Sequence, residues 1–142
     1  MESDLTGLEQ GALDGVLSYA VGDEFRGATE LRLGSDGTYE LSSTRTADRQ
    51  KLTFEGRVDP ERVRAMAAAW REACVWEVEH LRSKPGEDDP EAVLALETGG
   101  RRSDVVLWVS EVPSSEPFQR AREPLLELIQ ELSDGQILEY GR

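Results

Sequence analysis

One cysteine, one histidine and two lysines stand in a chain of 142 residues, and each scarcity closes a class of function. A lone cysteine, Cys74, excludes an intrachain disulfide and with it the cross-linked framework of small secreted domains. A lone histidine, His80, leaves any metal site without a second imidazole, and Cys74 is expected in an apolar helical stripe rather than on a metal. Glu77 and Glu79 stand beside His80, but no nucleophile accompanies it, so the expected role is that of a surface histidine rather than a switch or general base. Long apolar runs are missing too. Uncharged stretches reach about eight residues, as in Gly15 to Gly22, whereas a membrane-spanning helix needs roughly 20. Met1 to Leu5 has no basic or apolar leader character, which makes the cytoplasm the expected location. There is no Gly-x-Ser-x-Gly elbow, P-loop or Gly-x-Gly-x-x-Gly turn. The acidic run Gly86 to Glu91 lacks the alternating acids of a calcium loop. The sequence therefore leads to the expectation of a non-enzyme with no catalytic residue, no metal and no cofactor.

What the chain has in excess is negative charge. Asp and Glu total 29 against 16 Lys and Arg, a net charge of −13. Phosphates would be repelled, which argues against nucleic acid or an anionic membrane surface as ligand. A basic protein partner fits that charge, as does solubility alone. With 38% hydrophobic and 6% aromatic residues the composition is lean but strongly patterned, which argues against global disorder. The length suits one domain. Fourteen arginines against two lysines point to a GC-rich, bacterial source.

The pattern places a weakly structured N-terminal segment at 1–15, where Leu5, Leu8 and Ala12 are interrupted by glycines, and a single domain at 16–142. Residues 16–21, 28–34, 37–43 and 51–58 read as strands. Leu33 and Tyr39 must share a face, as must Leu31 and Leu41, so the turn Ser35-Asp36-Gly37 is expected to be a three-residue loop with Gly37 left-handed. Pairing Leu41 with Leu52 and Tyr39 with Phe54 would continue the antiparallel sheet. The period then changes. Asp59-Pro60-Glu61 is a helix start, and Val63, Met66, Ala67, Trp70, Ala73 and Cys74 form one apolar stripe. Residues 75–81 read as extended and 83–90 as an exposed loop. Residues 91–98 and 103–110 read as a hairpin around Gly99 to Arg102. A final helix over 117–133 carries Phe118, Ala121, Leu125, Leu128, Ile129 and Leu132, with Pro124 expected to kink or restart it.

Two helices with single apolar stripes need a common surface. The expected fold class is α+β, a two-layer sandwich with both helices on one face of an antiparallel sheet. One feature departs from that plan. If Leu94, Leu96, Val105 and Leu107 meet the helices, then Val93, Ala95, Val106 and Trp108 share the opposite face. That face is charged in the first hairpin, at Glu30, Arg32 and Glu40. An apolar corner on an otherwise polar face is either covered by residues 1–24 or the tail, or is a site for a protein partner or a second copy, with Trp108 as anchor.

The run Leu31 to Tyr39, with its Asp36-Gly37 turn, and the run Phe54 to Val63, with its Val58-Asp59-Pro60 helix start, resemble an uncharacterised bacterial domain family. In that family a strand–Asp-Gly–strand hairpin leads to a Val-Asp-Pro helix, a second hairpin and a closing helix. The resemblance spans roughly residues 16–133 and implies the fold but no activity. The residues themselves suggest a non-enzymatic protein-binding domain: an adaptor, an immunity protein or an inhibitor of a basic partner. Alternatives are a small-molecule or lipid binder with a cavity between helices and sheet, and an enzyme using dispersed carboxylates.

Overall fold

A computed structural model describes residues 7, 14–23, 27–44, 50–77, 90–98 and 100–137. These form six strands and two α-helices: β1 (Val16–Asp23), β2 (Gly27–Gly34), β3 (Thr38–Thr44), β4 (Lys51–Arg57), α1 (Pro60–Glu72), β5 (Glu91–Thr98), β6 (Arg101–Trp108) and α2 (Glu116–Leu132). The strands make one open sheet in the order β4-β3-β2-β1-β5-β6, antiparallel throughout. The fold is the expected α+β arrangement. The expectations for 1–13 apart from residue 7, for 78–81 with His80, and for the loop 83–89 fall outside the described residues.

Alternation selects the core. Leu17, Tyr19, Leu31, Leu33, Leu41, Leu94, Leu96, Val105 and Leu107 are buried from the strands, and Val63, Met66, Trp70, Phe118, Leu125, Leu128 and Ile129 from the helices, in one cluster. Residues two apart on a strand point the same way, so one set of positions along the strands forms the helix-covered face. The two helices lie against each other on that face, and Trp70 Nε1 donates to the Ala121 carbonyl at 3.1 Å. Each helix starts as its sequence demands. The Asp59 side chain accepts from Glu61 N at 3.0 Å, and the Ser115 hydroxyl accepts from Phe118 N at 3.4 Å.

The first hairpin has the expected register, with Leu33 opposite Tyr39 and Leu31 opposite Leu41. Gly37 has φ +93°, and a Cβ there would stand 2.1 Å from the Val58 oxygen. The turn is also tied to the approach of α1, because Val58 N donates to the Gly37 carbonyl at 2.8 Å.

Several boundaries differ from expectation. β4 is shifted by two residues, so that Leu41 faces Phe54, Ser43 faces Leu52 and Tyr39 faces Gly56. A shift of two keeps every side chain on its face, so burial pattern alone does not separate the registers. Gly56 does separate them: a Cβ there would lie 2.8 Å from the Tyr39 hydroxyl, so glycine is what fits beside that ring. The second hairpin turns in two residues, with Thr98 opposite Arg101 and Gly100 at φ +79°, where four were expected. Residues 109–114 are a 3₁₀ turn instead of the end of β6, and 75–77 are a 3₁₀ turn instead of extended chain. α2 continues through Pro124 without a restart. The burial of Leu125, Leu126, Leu128 and Ile129 outweighs a cost of about 3 kcal/mol for an interior proline.

Cys74 also departs from expectation. It is exposed, with φ +55°, just past the end of α1. The left-handed residue that closes a helix turns its side chain away from the stripe, so the spacing that placed Cys74 in the core no longer applies once the helix has ended.

Candidate functional site

The candidate site is the sheet face turned away from the helices. Register builds it. Val93 faces Val106 on one side and Ala20 on the other, Ala95 lies between Ser18 and Asp104, and Trp108 faces Glu91. The four residues singled out by parity thus share one face. Their exposure divides them. Val93, Val106 and Trp108 are each partly exposed, whereas Ala95 is at 0% although it stands outside the helix-side core cluster. Ala95 and its neighbour Ser18, at 5%, are thus the most deeply placed residues of this corner.

Beside this apolar corner runs a charged ladder. Arg32 of β2 reaches across β1 to Glu97 of β5, with Nη2 3.1 Å from Oε2. Arg102 of β6 binds the other oxygen of Glu97 at 2.6 Å, and its Nε lies 3.6 Å from Asp104. Hydrogen bonds from Arg32 and then Arg102 hold the Glu97 carboxyl below the usual carboxylate range. A carboxylate whose pKa is lowered by folding stabilises the fold above its unfolded pKa, and that contribution disappears as pH falls through the lowered folded value. Glu97 is a third exposed, so solvent screening keeps the effect small, under about 1 kcal/mol. Urea titrations at neutral pH and near pH 3 should show a slightly smaller acid loss in Glu97→Gln than in the parent.

Two open clefts flank this ladder. One, of about 640 Å³, lies where β1 begins between the two hairpin turns and is lined by Asp14, Ser35, Asp36, Glu97, Arg101 and Arg102 among others. The chain entering β1 is fixed there: Ser35 N donates to the Gly15 carbonyl at 2.9 Å, and Gly15 N donates to the Ser35 hydroxyl at 3.2 Å. The other, of about 650 Å³, is lined by Arg32, Tyr39, Glu40, Glu55 and Gly56 among others. Charges of both signs line each cleft.

The helix-side core holds polar groups that the sequence reading missed. Arg122, on α2, is 9% exposed and is hydrogen-bonded to the buried Tyr19 hydroxyl. Burial pushes the Tyr19 phenol up, and Arg122 partly opposes that shift. Thr29 and Ser43 hydrogen-bond each other at 2.8 Å on the same face. The signal for Arg122 was available, since Phe118, Arg122, Leu125 and Ile129 fall at i, i+4, i+7 and i+11 of one stripe. Among the described residues no group of three or more His, Cys, Asp or Glu is placed to hold a metal ion, and no helix is long and apolar enough to cross a membrane.

The chain matches no protein-family profile, and no curated protein matches its sequence.

Proposed function

We propose that this chain is a non-enzymatic protein-binding domain, acting in the cytoplasm, whose outer sheet face docks a basic protein partner. The observation that carries the reading is the partly exposed corner of Val93, Val106 and Trp108, on the face opposite the helix-packed core. Partner docking gives such a corner a use, because tryptophan is enriched among the energetic anchors of interfaces. The net charge of −13 supports a basic partner and a steered encounter. An adaptor, an immunity protein and an inhibitor all fit this description. The alternative of a ligand held between helices and sheet has less support, since Tyr19, Trp70, Phe118 and several leucines fill that space at under 2% exposure.

The test is Trp108→Glu. The variant is expected to keep the parent's circular dichroism and unfolding midpoint and to lose the partner captured by the parent chain from its host. A loss of several kcal/mol of stability would instead mean that the corner is internal packing, because the glutamate would be buried unpaired. A variant that folds and still captures the partner would remove the basis for the reading. Charge makes a separate prediction. Association of the captured partner should slow as salt rises from low to physiological strength, by about tenfold if steering dominates, and stopped-flow mixing would measure it.

A further inference from the structure

The opposite margin of the sheet has a different character. β4 is an edge strand whose seven residues pair with β3 in an unbroken register. It contains no proline, and a regular edge presents backbone groups ready to pair with another strand. Lys51, Thr53, Glu55, Gly56 and Arg57 are exposed. Leu52 and Phe54 belong to the helix-covered face yet remain partly exposed, packed only against the margin of the core. On the other face Glu55 stands opposite Glu40 and Lys51 opposite Thr44. Like charges directly opposite each other are unfavourable, and neither Lys51 nor Glu55 forms an ion pair with another described residue.

These residues complement themselves. Two copies of β4, antiparallel about a two-fold axis at Thr53, set Lys51 against Glu55 of the second copy and Leu52 against its Phe54, each twice by symmetry, with Thr53 meeting Thr53. An axis at Phe54 would set Lys51 against Arg57, and an axis at Leu52 would set Phe54 against Gln50. We propose that the chain self-associates edge to edge through β4 in the Thr53-centred register, so that two six-stranded sheets become one continuous sheet. The partner is a second copy of this chain, and the inference is independent of the Trp108 corner on the far side of the sheet. In this dimer Leu52 and Phe54 extend the helix-side core across the two-fold axis, and Lys51 of the second copy offsets the repulsion between Glu40 and Glu55. A ladder this short buries less than the roughly 1,200 Å² of a stable interface, and two chains of net charge −13 repel, so the dimer is weak and favoured by salt.

Sedimentation equilibrium of the full chain in physiological or higher salt, from about 10 µM to about 1 mM, tests this. A monomer–dimer equilibrium is expected. Lys51→Glu and Glu55→Lys should each weaken it about tenfold, since each turns two symmetric attractions into repulsions, and the double variant should restore it. Both positions are exposed, and far-UV circular dichroism would verify folding. Glu55→Lys also removes the Glu40 repulsion within one chain, so a weakened dimer there is not a misfolded monomer. Trp108→Glu should leave the equilibrium unchanged. A monomer at every concentration would overturn the proposal, as would a dimer indifferent to the charge exchange or one dissolved by Trp108→Glu.

Discussion

Trp70→Ala is expected to lower the unfolding free energy by about 4 kcal/mol, the middle of the range for truncating a buried tryptophan. Trp70 is fully buried at the contact between α1 and α2, and its Nε1 proton goes to the Ala121 carbonyl. Its ring also meets Trp76 edge-on at 6.4 Å. Truncation removes the apolar burial, the aromatic contact and the hydrogen bond together, and leaves a cavity where the two helices meet. Urea unfolding followed by circular dichroism would measure it. Trp76→Phe should behave differently, with a change under about 1 kcal/mol. Trp76 Nε1 is buried without a hydrogen-bond partner, so phenylalanine loses some area but relieves an unsatisfied donor. Equal losses at both positions would mean that the helix contact is not organised around Trp70.

The second large effect lies in the pair formed by Tyr19 and Arg122, where each single substitution is expected to cost more than the two together. Tyr19→Phe should cost about 1.5–3 kcal/mol, because it removes a hydrogen bond to a buried cation whose charge stays in the core. Arg122→Met removes the cation itself and fills the space with apolar atoms. Replacing such a buried pair as a whole is often neutral, or stabilising by about 1–4 kcal/mol, so the double variant is expected near parent stability. Arg122→Met alone leaves the Tyr19 hydroxyl without that bond, at a cost of about 1–3 kcal/mol. In the Arg122→Met background, Tyr19→Phe should then cost less than it does alone, and the four proteins form a thermodynamic cycle. A loss of about 3 kcal/mol or more from the double variant would show that the guanidinium holds α2 in place, and the expectation would be wrong.

How much of this was legible in the sequence follows from which rules are local. The three-residue turn at Ser35 to Gly37 was legible because side-chain parity along a strand leaves few loop lengths, and Gly37 fits the positive φ. The helix start at Asp59 was legible because capping involves only neighbours within three residues. The shared face of Val93, Val106 and Trp108 followed from the same parity argument. The length of the Gly99–Gly100 turn was not legible, because turns of two and four residues place the side chains identically. The β4 register escaped for the same reason, since a shift of two preserves the alternation, and only the contact between Tyr39 and Gly56 separates the two. Cys74 was misplaced because a periodic stripe does not reveal where its helix stops.

The sequence by itself determined the α+β class, the antiparallel pairing of each hairpin and the apolar stripes of both helices, because period, parity and capping act within a few residues. Tertiary structure alone decided that β1 lies at the centre of the sheet, joined to β2 and β5, since long-range pairing leaves no local mark on a strand. It also decided that Arg122 lies under α2 against Tyr19, because a charged residue on an apolar stripe is buried only when a partner waits on the facing element. The division of the outer face was settled the same way. Strand order sets the apolar corner on β5 and β6 beside the ladder from Arg32 to Asp104 and leaves β4 at the edge, and no residue's own neighbours in the chain specify which strands lie side by side.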